Sequence, residues 1–310
     1  MTVPRPHTSR PHTSRPRKVA IVGGGVAGLT AATHLARAGV EVAVYERDTH
    51  LGGAPRHTDH LGFGMTDLRR LLTGPQYAAR LIERAERSGA ALHLSAAVHD
   101  LSTLDTDVVV LATGVRERPR SARLVPGDRP AGVYTTGQVQ QLTALYGQRV
   151  GNRAVIVGAE HVSMSAVITL RHAGCDIAAM VTSNTRHESH PLLVAATVRR
   201  HRVPLHTGVS IASIIGRPRV QKVLLTDGSE IECDTVVFTG DWYAEHEVAR
   251  TAGLAVDMTN GAITIDSSFT TSDPRVFAIG NVVHPAKASG RCANDGLRLA
   301  RYLLSLPPLR

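Results

Sequence analysis

The stretch Val19-Ala20-Ile21-Val22-Gly23-Gly24-Gly25-Val26-Ala27-Gly28-Leu29 restricts the fold more than any other part of this 310-residue chain. Four strand-forming residues run into a glycine turn, and a helical pattern follows with Leu29, Ala32 and Leu35 at packing spacing before Gly39 stops it. Val40 to Tyr45 is a second apolar strand, and Glu46 follows it at once. The result is one βαβ unit with an acid about 20 residues beyond the glycines, the pattern of a dinucleotide-binding fold. Each part has a mechanical reason. Gly23 permits the tight turn, Gly25 lets backbone approach a pyrophosphate, and Gly28 lets helix and strands pack closely. The helix N-terminus offers unpaired N–H groups to the anion. Glu46 accepts both hydroxyl hydrogens of an adenosine ribose, which selects a 2′-hydroxyl over a 2′-phosphate.

Aromatic residues make up only 4% of the chain, so its cores are built from Ala, Val, Leu and Ile, the material of buried parallel sheets flanked by helices. The net charge of +9 points toward nucleic acid until it is located. Arg5, Arg10, Arg15, Arg17 and Lys18 carry five of those charges in a segment that repeats Arg-Pro-His-Thr-Ser, leaving the body near +4. Residues 1–17 are expected to be a disordered basic tail, and no nucleic-acid partner is expected. No run of 18 apolar residues occurs, and the charged, Pro-rich N-terminus lacks a signal peptide's apolar stretch, so the expectation is a cytoplasmic protein with no membrane partner. Cys175, Cys233 and Cys292 lie far apart, with no CxxC, and the 16 histidines form no zinc-spaced cluster, so no metal is expected.

Four further segments extend the pattern. Leu51-Gly52-Gly53 places a second glycine pair where a loop can pass over the same pyrophosphate. Asp107-Val108-Val109-Val110-Leu111-Ala112-Thr113-Gly114 reads as a buried strand ending in Thr-Gly, and the segment Thr271 to Asn281 reads as another strand ending in Gly280-Asn281. Asn152 to Val157, Gly158-Ala159-Glu160-His161-Val162-Ser163, a helix through Leu170 and a strand from Asp176 to Val181 form a second βαβ unit. Its second glycine is replaced by Glu160, whose side chain obstructs a pyrophosphate and whose charge repels it. The end of its second strand has no acid for a 2′-hydroxyl, although Arg186 and His187 can face a 2′-phosphate.

Together these motifs resemble the FAD signatures of the pyridine-nucleotide-disulfide oxidoreductase superfamily, which includes thioredoxin reductase-like flavoproteins. The segments His60-Leu61-Gly62-Phe63-Gly64, Leu72 to Ala78, Ala112 to Arg118, Arg129 to Tyr134, Asp241-Trp242 and Gly280 to Pro285 are similar to a narrower group. That group holds the sarcosine-oxidase α and hydrogen-cyanide-synthase flavoprotein subunits and flavoproteins encoded with glycerol-3-phosphate dehydrogenase-like proteins. The resemblance covers residues 18–305. It implies an α/β fold of two Rossmann-like doubly wound units: a discontinuous FAD domain of residues 18–120 and 245–310, closed by a last helix over Gly296 to Leu304, and an inserted NAD(P)-type domain of residues 121–244. FAD contacts are expected from Gly23, Gly25, Ala27, Gly28, Glu46, Arg47, Gly52, Gly53, Thr113, Gly114, Gly280 and Asn281. NAD(P)H contacts would come from Gly158 and Ser163, against the obstruction at Glu160.

Two positions depart from the family pattern. Asn281 stands where a ribityl-binding Asp is usual, and its amide oxygen can accept the same hydroxyl. Thr58 stands where some of these proteins carry a Cys, which removes thiol chemistry there. Flavin supplies the redox chemistry, so catalytic candidates are positioning groups: His60, a residue type suited to donating or accepting a proton, Trp242, the sole tryptophan, and His284 with Lys287 beyond the last FAD strand. His60 and Trp242 each have a plain structural alternative: a hydrogen-bonded turn histidine and a packing aromatic. The implied activity is an FAD-dependent oxidoreductase moving a hydride or electrons between flavin and a small-molecule substrate, NAD(P)H, or an electron carrier. A partner dehydrogenase subunit and a homodimer also fit. The alternative is a flavin-holding scaffold or sensor without turnover.

Overall fold

The computed structural model describes residues 14–308. They divide into two compact units, one of the chain through Arg56, Leu61–Arg116 and everything from Tyr243, the other of His57–His60 and Glu117–Trp242. The chain passes between the units at Arg116/Glu117 and Trp242/Tyr243. The excursion at residues 57–60 carries no sequence signal. Most of the basic tail, residues 1–13, lies outside the described residues. Its end is held to the first unit: Arg15 N donates to Pro307 O (2.7 Å) and Arg17 N to the Asp107 carboxylate (2.8 Å).

In chain order the main elements are β1 (Lys18–Val22), α1 (Val26–Arg37), β2 (Glu41–Tyr45), α2 (Gly74–Glu86), β3 (Ala91–His93), β4 (Val108–Leu111), β5 (Val133–Thr135), α3 (Thr136–Ala144) and β6 (Arg153–Val157). There follow α4 (His161–His172), β7 (Asp176–Thr182), β8 (Leu205–Thr207), β9 (Ile211–Ile215), β10 (Lys222–Leu225), β11 (Glu230–Glu232), β12 (Thr235–Phe238), β13 (Val276–Ala278) and α5 (Ser289–Ser305).

The first unit is a parallel five-stranded sheet ordered β13-β4-β1-β2-β3. Its central strands are apolar on both faces because both are covered, one by α1 and α5 and the other by residues 98–104 and 244–263, and Ile21, Val44, Val108, Val110 and Leu111 are fully buried. Register runs from Lys18↔Glu41 to Val22↔Tyr45 on one side of β1 and from Val19↔Val108 to Val22↔Leu111 on the other. The carboxyl ends of β2, β1 and β4 therefore stop level, and Glu46, Gly23 and Ala112 emerge at one sheet edge. Topology reverses at β1, the place where open α/β sheets bind ligands.

Two expectations about elements change here. The segment from Thr271 is strand only over Val276–Ala278, because residues 271–276 form a turn in which Thr271 N donates to Val276 O and Val276 N to Asp273 O. The last helix begins at Ser289 rather than Gly296. Gly296 lies inside α5 because α1 passes close by: a Cβ there would stand 2.4 Å from Ala27 O and 3.0 Å from Ala31 N. The missing side chain serves helix packing, not a helix start.

The second unit repeats the plan with a parallel sheet ordered β8-β7-β6-β12-β5 and an antiparallel sheet β9-β10-β11. Ile156, Met164, Val167, Leu170, Met180 and Val237 form a fully buried core beneath α4.

Candidate dinucleotide-binding sites

At the sheet edge of the first unit the glycines divide by what demands them. Gly23 has φ +110, and a Cβ there would stand 2.4 Å from Ala112 O, so the turn itself requires it. At Gly28 a Cβ would meet Gly23 O at 2.0 Å, so helix packing requires it. Gly25 is different. It caps α1 in ordinary extended backbone (φ −84, ψ −168), and the atom nearest to an added Cβ is Gly53 Cα at 4.0 Å. Nothing in the chain itself demands glycine at position 25.

The second glycine pair is tied to this turn, with Gly52 N donating to Gly24 O at 2.9 Å. Gly53, at φ +60, would bring a Cβ within 3.1 Å of Gly25 Cα. Two bare backbones thus face each other beside the start of α1, which no side chain caps. Glu46 is held against the same turn: Oε2 accepts from Gly24 N (2.8 Å) and Oε1 from Asp48 N (2.9 Å). A phosphate group fits this cradle, since the uncapped helix offers N–H donors and no side chain intervenes.

Across β1, Thr113 Oγ1 donates to Glu245 O (2.6 Å) and Glu245 N to Gly114 O (3.0 Å). Arg47 and Arg116 both reach the carboxylate of Glu245, at 3.1 and 2.9 Å. Below them Gly280, φ +75, sits where a Cβ would stand 2.9 Å from the Ala27 side chain, so buried Ala27 is clasped by Gly280 and Gly296. Asn281 Oδ1 takes two donors from the chain, Lys287 N (2.9 Å) and Cys292 Sγ (3.4 Å). Burial pushes the Cys292 thiol up to about 12, which keeps the proton that Sγ donates. The amide oxygen expected to meet a ribityl hydroxyl is therefore committed within the chain. Lys287 Nζ pairs with buried Asp295 at 2.6 Å, and His284 is exposed.

The equivalent edge of the second unit carries the opposite chemistry. Gly158 has φ +138, and a Cβ there would lie 1.9 Å from Thr239 Oγ1 and 2.7 Å from Glu160 Oε2. A Cβ on Gly240 would lie 3.3 Å from Glu160 Oε1. The Glu160 carboxylate thus lies between the turns that follow β6 and β12, in the space a phosphate needs. It caps no backbone N–H of α4, and its Oε1 is buried without a partner. Ser163 Oγ is bonded to Thr239 Oγ1 at 2.7 Å. Nearby Glu117 is 8% exposed, and burial raises its carboxyl to about 7, against the Gly137 N–H that Oε2 accepts (2.8 Å) and with the Glu160 charge adding to the rise. Arg123 donates to the carbonyls of Arg118 (2.8 Å) and Gly240 (2.7 Å). The residues here do not fit a pyrophosphate. Arg186 is exposed, and His187 Nδ1 lies 3.0 Å from Ser189 O.

The catalytic candidates are dispersed. His60 belongs to the second unit, where Nε2 lies 2.7 Å from Ser165 Oγ, which also accepts from Gln140 Nε2 at 2.8 Å. Trp242 is half-buried at the end of the second unit, and His284 belongs to the first. Among the described residues no His, Cys, Asp and Glu grouping could hold a metal ion, and no helix is long and apolar enough to cross a membrane. Sequence reasoning missed Gly24, Glu117, Arg116 and Glu245. Gly24 stood in plain view between two named glycines. The others are charged residues whose roles depend on partners distant in sequence.

A family model described as "Pyridine nucleotide-disulphide oxidoreductase" matches residues 17–300. The ferredoxin reductase component of a chlorobenzene dioxygenase from Cupriavidus sp. (strain PS12) is 29% identical over 304 residues, covering 88% of this chain and 69% of that protein. The ferredoxin–NAD(+) reductase subunit of a benzene 1,2-dioxygenase system from Pseudomonas putida is 28% identical over 285 residues, covering 85% of this chain and 66% of that subunit. The chain thus spans about two thirds of the length of these relatives. The crystal structure of T. acidophilum thioredoxin reductase shares the fold with a TM-score of 0.77 at 22% identity, covering 93% of this chain and 98% of that one.

Proposed function

This chain belongs to the pyridine nucleotide-disulphide oxidoreductase family, whose cofactors are FAD and NAD(P)H, and on that premise we propose that it is an FAD-dependent oxidoreductase whose first unit holds the flavin and exchanges its electrons with a carrier protein. The observation that carries the proposal is Gly25: a glycine demanded by neither φ nor packing, facing Gly53 beside an uncapped helix. The gap suits a ligand phosphate that comes within contact distance of backbone.

Around that point the chain's own groups have defined tasks. The Gly25 N–H and the first N–H groups of α1 neutralise the pyrophosphate, the Gly24 N–H being donated to Glu46. Glu46, already aligned by Gly24 N, orients the adenosine ribose. Because Asn281 Oδ1 is committed to Lys287 and Cys292, the donor Nδ2 is the atom that meets the ribityl chain. When bound, FAD supplies the two-electron redox chemistry. A redox disulfide has no part: among the described residues Cys175, Cys233 and Cys292 are free and buried, and burial pushes them up to about 11, 12 and 12, so thiolate is scarce.

The carrier-protein partner rests on the relatives, which are ferredoxin reductase components. The narrower likeness to sarcosine-oxidase α and hydrogen-cyanide-synthase subunits stays an alternative source of electrons, an amine or hydroxy-acid dehydrogenase partner in a cytoplasmic setting. Glu160 favours a partner over NAD(P)H as donor, since its carboxylate stands where the nucleotide phosphates would pack. The test is anaerobic stopped-flow absorbance of FAD-loaded protein near 450 nm. Slow bleaching with NADH and NADPH, and fast exchange with a reduced ferredoxin, is the expected result. Fast bleaching by either nucleotide refutes the role given to Glu160, and failure of the apoprotein to take up FAD refutes the whole reading.

A further inference from the structure

Glu245 has an arrangement that no task described so far explains. It is 9% exposed, yet it carries a carboxylate, and its Oε2 receives two guanidiniums, Arg47 at 3.1 Å and Arg116 at 2.9 Å. Its backbone is pinned on both sides, N–H to Gly114 O and C=O from Thr113 Oγ1, so the carboxylate has little freedom to move. Arg116 bonds in addition to Glu247, and its guanidinium lies 5.6 Å from the centroid of the Tyr243 ring. Every one of these residues belongs to the first unit.

Topology says what this network spans. Arg47 follows β2 by two residues and Arg116 follows β4 by five, while β1 lies between those strands. Adjacent strands are about 4.8 Å apart, so side chains from the ends of β2 and β4 that meet on one carboxylate bridge roughly 10 Å over the end of β1. The Gly23–Gly25 turn is at that end, with Glu46 beside it. The Arg47 side chain is 66% exposed and buries little of its own surface by taking this position. A buried carboxylate is a costly way to fix an exposed arginine unless the arginine's place matters. A fixed guanidinium offers a flat face to a purine and further N–H donors to phosphate.

We propose that Arg47, Glu245 and Arg116 form an ionic strap across the carboxyl end of β1 that holds the adenosine diphosphate half of FAD, with Glu245 as the positioning residue. The inference rests on the first unit being the FAD site. It adds Arg116 and Glu245 to that site and assigns them to the adenosine end, so that an adenosine diphosphate lacking the flavin feels the strap as FAD does.

The experiment uses full-length apoprotein, titrated with FAD by flavin fluorescence and with ADP by calorimetry. Glu245→Gln keeps the backbone bonds to Thr113 and Gly114 and removes the charge. It is expected to weaken FAD and ADP by the same factor, about tenfold, with apoprotein melting within about two degrees of wild type. Arg47→Ala, at an exposed side chain that does not endanger folding, should weaken both ligands similarly, and Glu245→Gln added to it should cost almost nothing more. FAD and ADP affinities within twofold of wild type in Arg47→Ala overturn the strap. So does a loss in Glu245→Gln that affects FAD alone or that tracks a fall in apoprotein stability. Wild-type protein that binds neither FAD nor ADP overturns the underlying site as well, an outcome distinct from a site that binds both and ignores the variants.

Discussion

Replacing Gly25 by Ala separates what the fold needs from what the ligand needs. In the apoprotein the new methyl meets open space, with Gly53 Cα nearest at 4.0 Å, and the backbone at φ −84 accepts any L-residue. Two small terms then oppose each other. Alanine has less freedom than glycine in the unfolded chain, which stabilises by about 0.4–1 kcal/mol, and alanine is a poorer helix N-cap than glycine by a similar amount. Apoprotein stability should stay within about 1 kcal/mol of wild type. If the pyrophosphate of FAD packs on Gly25 as proposed, the methyl would enter its space. Overpacking a filled site costs about 1–3 kcal/mol, or roughly 5- to 150-fold in Kd. Gly28→Ala is the contrast: its methyl would stand 2.0 Å from Gly23 O and 3.2 Å from Ile21 Cγ2, so β1 and α1 must separate and the apoprotein itself should be destabilised. Urea unfolding followed by circular dichroism gives the stabilities, and flavin fluorescence titration gives the affinities. Wild-type FAD affinity in Gly25→Ala would refute the argument, because the bare backbone at that position would then have no ligand to explain it.

Glu160→Gly should tighten NADH and NADPH. The side chain occupies the space a phosphate needs, and its charge alone would repel one even about 5 Å away by about 3 kcal/mol at an effective dielectric of ~20, so a gain of about a hundredfold or more is expected by calorimetry, and no gain would mean the unit has lost more than one glycine. Glu117 makes the second unit pH-sensitive. Its folded carboxyl titrates at about 7 against an ordinary 4.5, so the stabilisation is complete below pH 4.5 and is lost as pH rises through 7, about 3 kcal/mol in all. Urea midpoints read from Trp242 fluorescence should fall between pH 5 and pH 8 in the wild type and change much less in Glu117→Gln, which keeps an acceptor for Gly137 N. A midpoint that shifts equally in both proteins would remove Glu117 as the cause. Asn281→Leu should loosen the loop before α5, because Lys287 N and Cys292 Sγ lose a shared acceptor. Amide exchange at Lys287 faster than in the wild type is the expected signature, and unchanged exchange would contradict it.

Much of the first site was legible because it is local. A strand, three glycines, a helix and a second strand lie within residues 18–45, and the acid follows at position 46, so periodicity and turn chemistry read the site without knowledge of any distant residue. The same holds for Glu160, a departure visible within one loop, whose carboxylate indeed lies against Gly158 and Gly240. Gly296 misled for a physical reason. Glycine inside a helix and glycine at a helix boundary look alike in sequence, and only the backbone of α1, whose Ala27 O lies 2.4 Å from where a Cβ would stand, tells them apart.

What depended on contacts between distant residues was beyond the sequence. Glu245 is 198 residues from Arg47 and 129 from Arg116, and nothing in the spacing of three charged residues says that they share one buried oxygen. Glu117 is an ordinary carboxylate until burial, against the pull of Gly137 and Arg123 and with Glu160 adding to it, raises it to about 7. Asn281 offered an oxygen and a nitrogen to a ligand until folding brought Lys287 N and Cys292 Sγ to the oxygen. The sequence by itself determined the βαβ units, their order and the place of the glycine turns, since short-range sterics and hydrophobic period settle those. The tertiary structure decided which charges are buried, which atoms stay available and which side chains bridge the strands, because desolvation and hydrogen-bond geometry exist only once distant segments have packed.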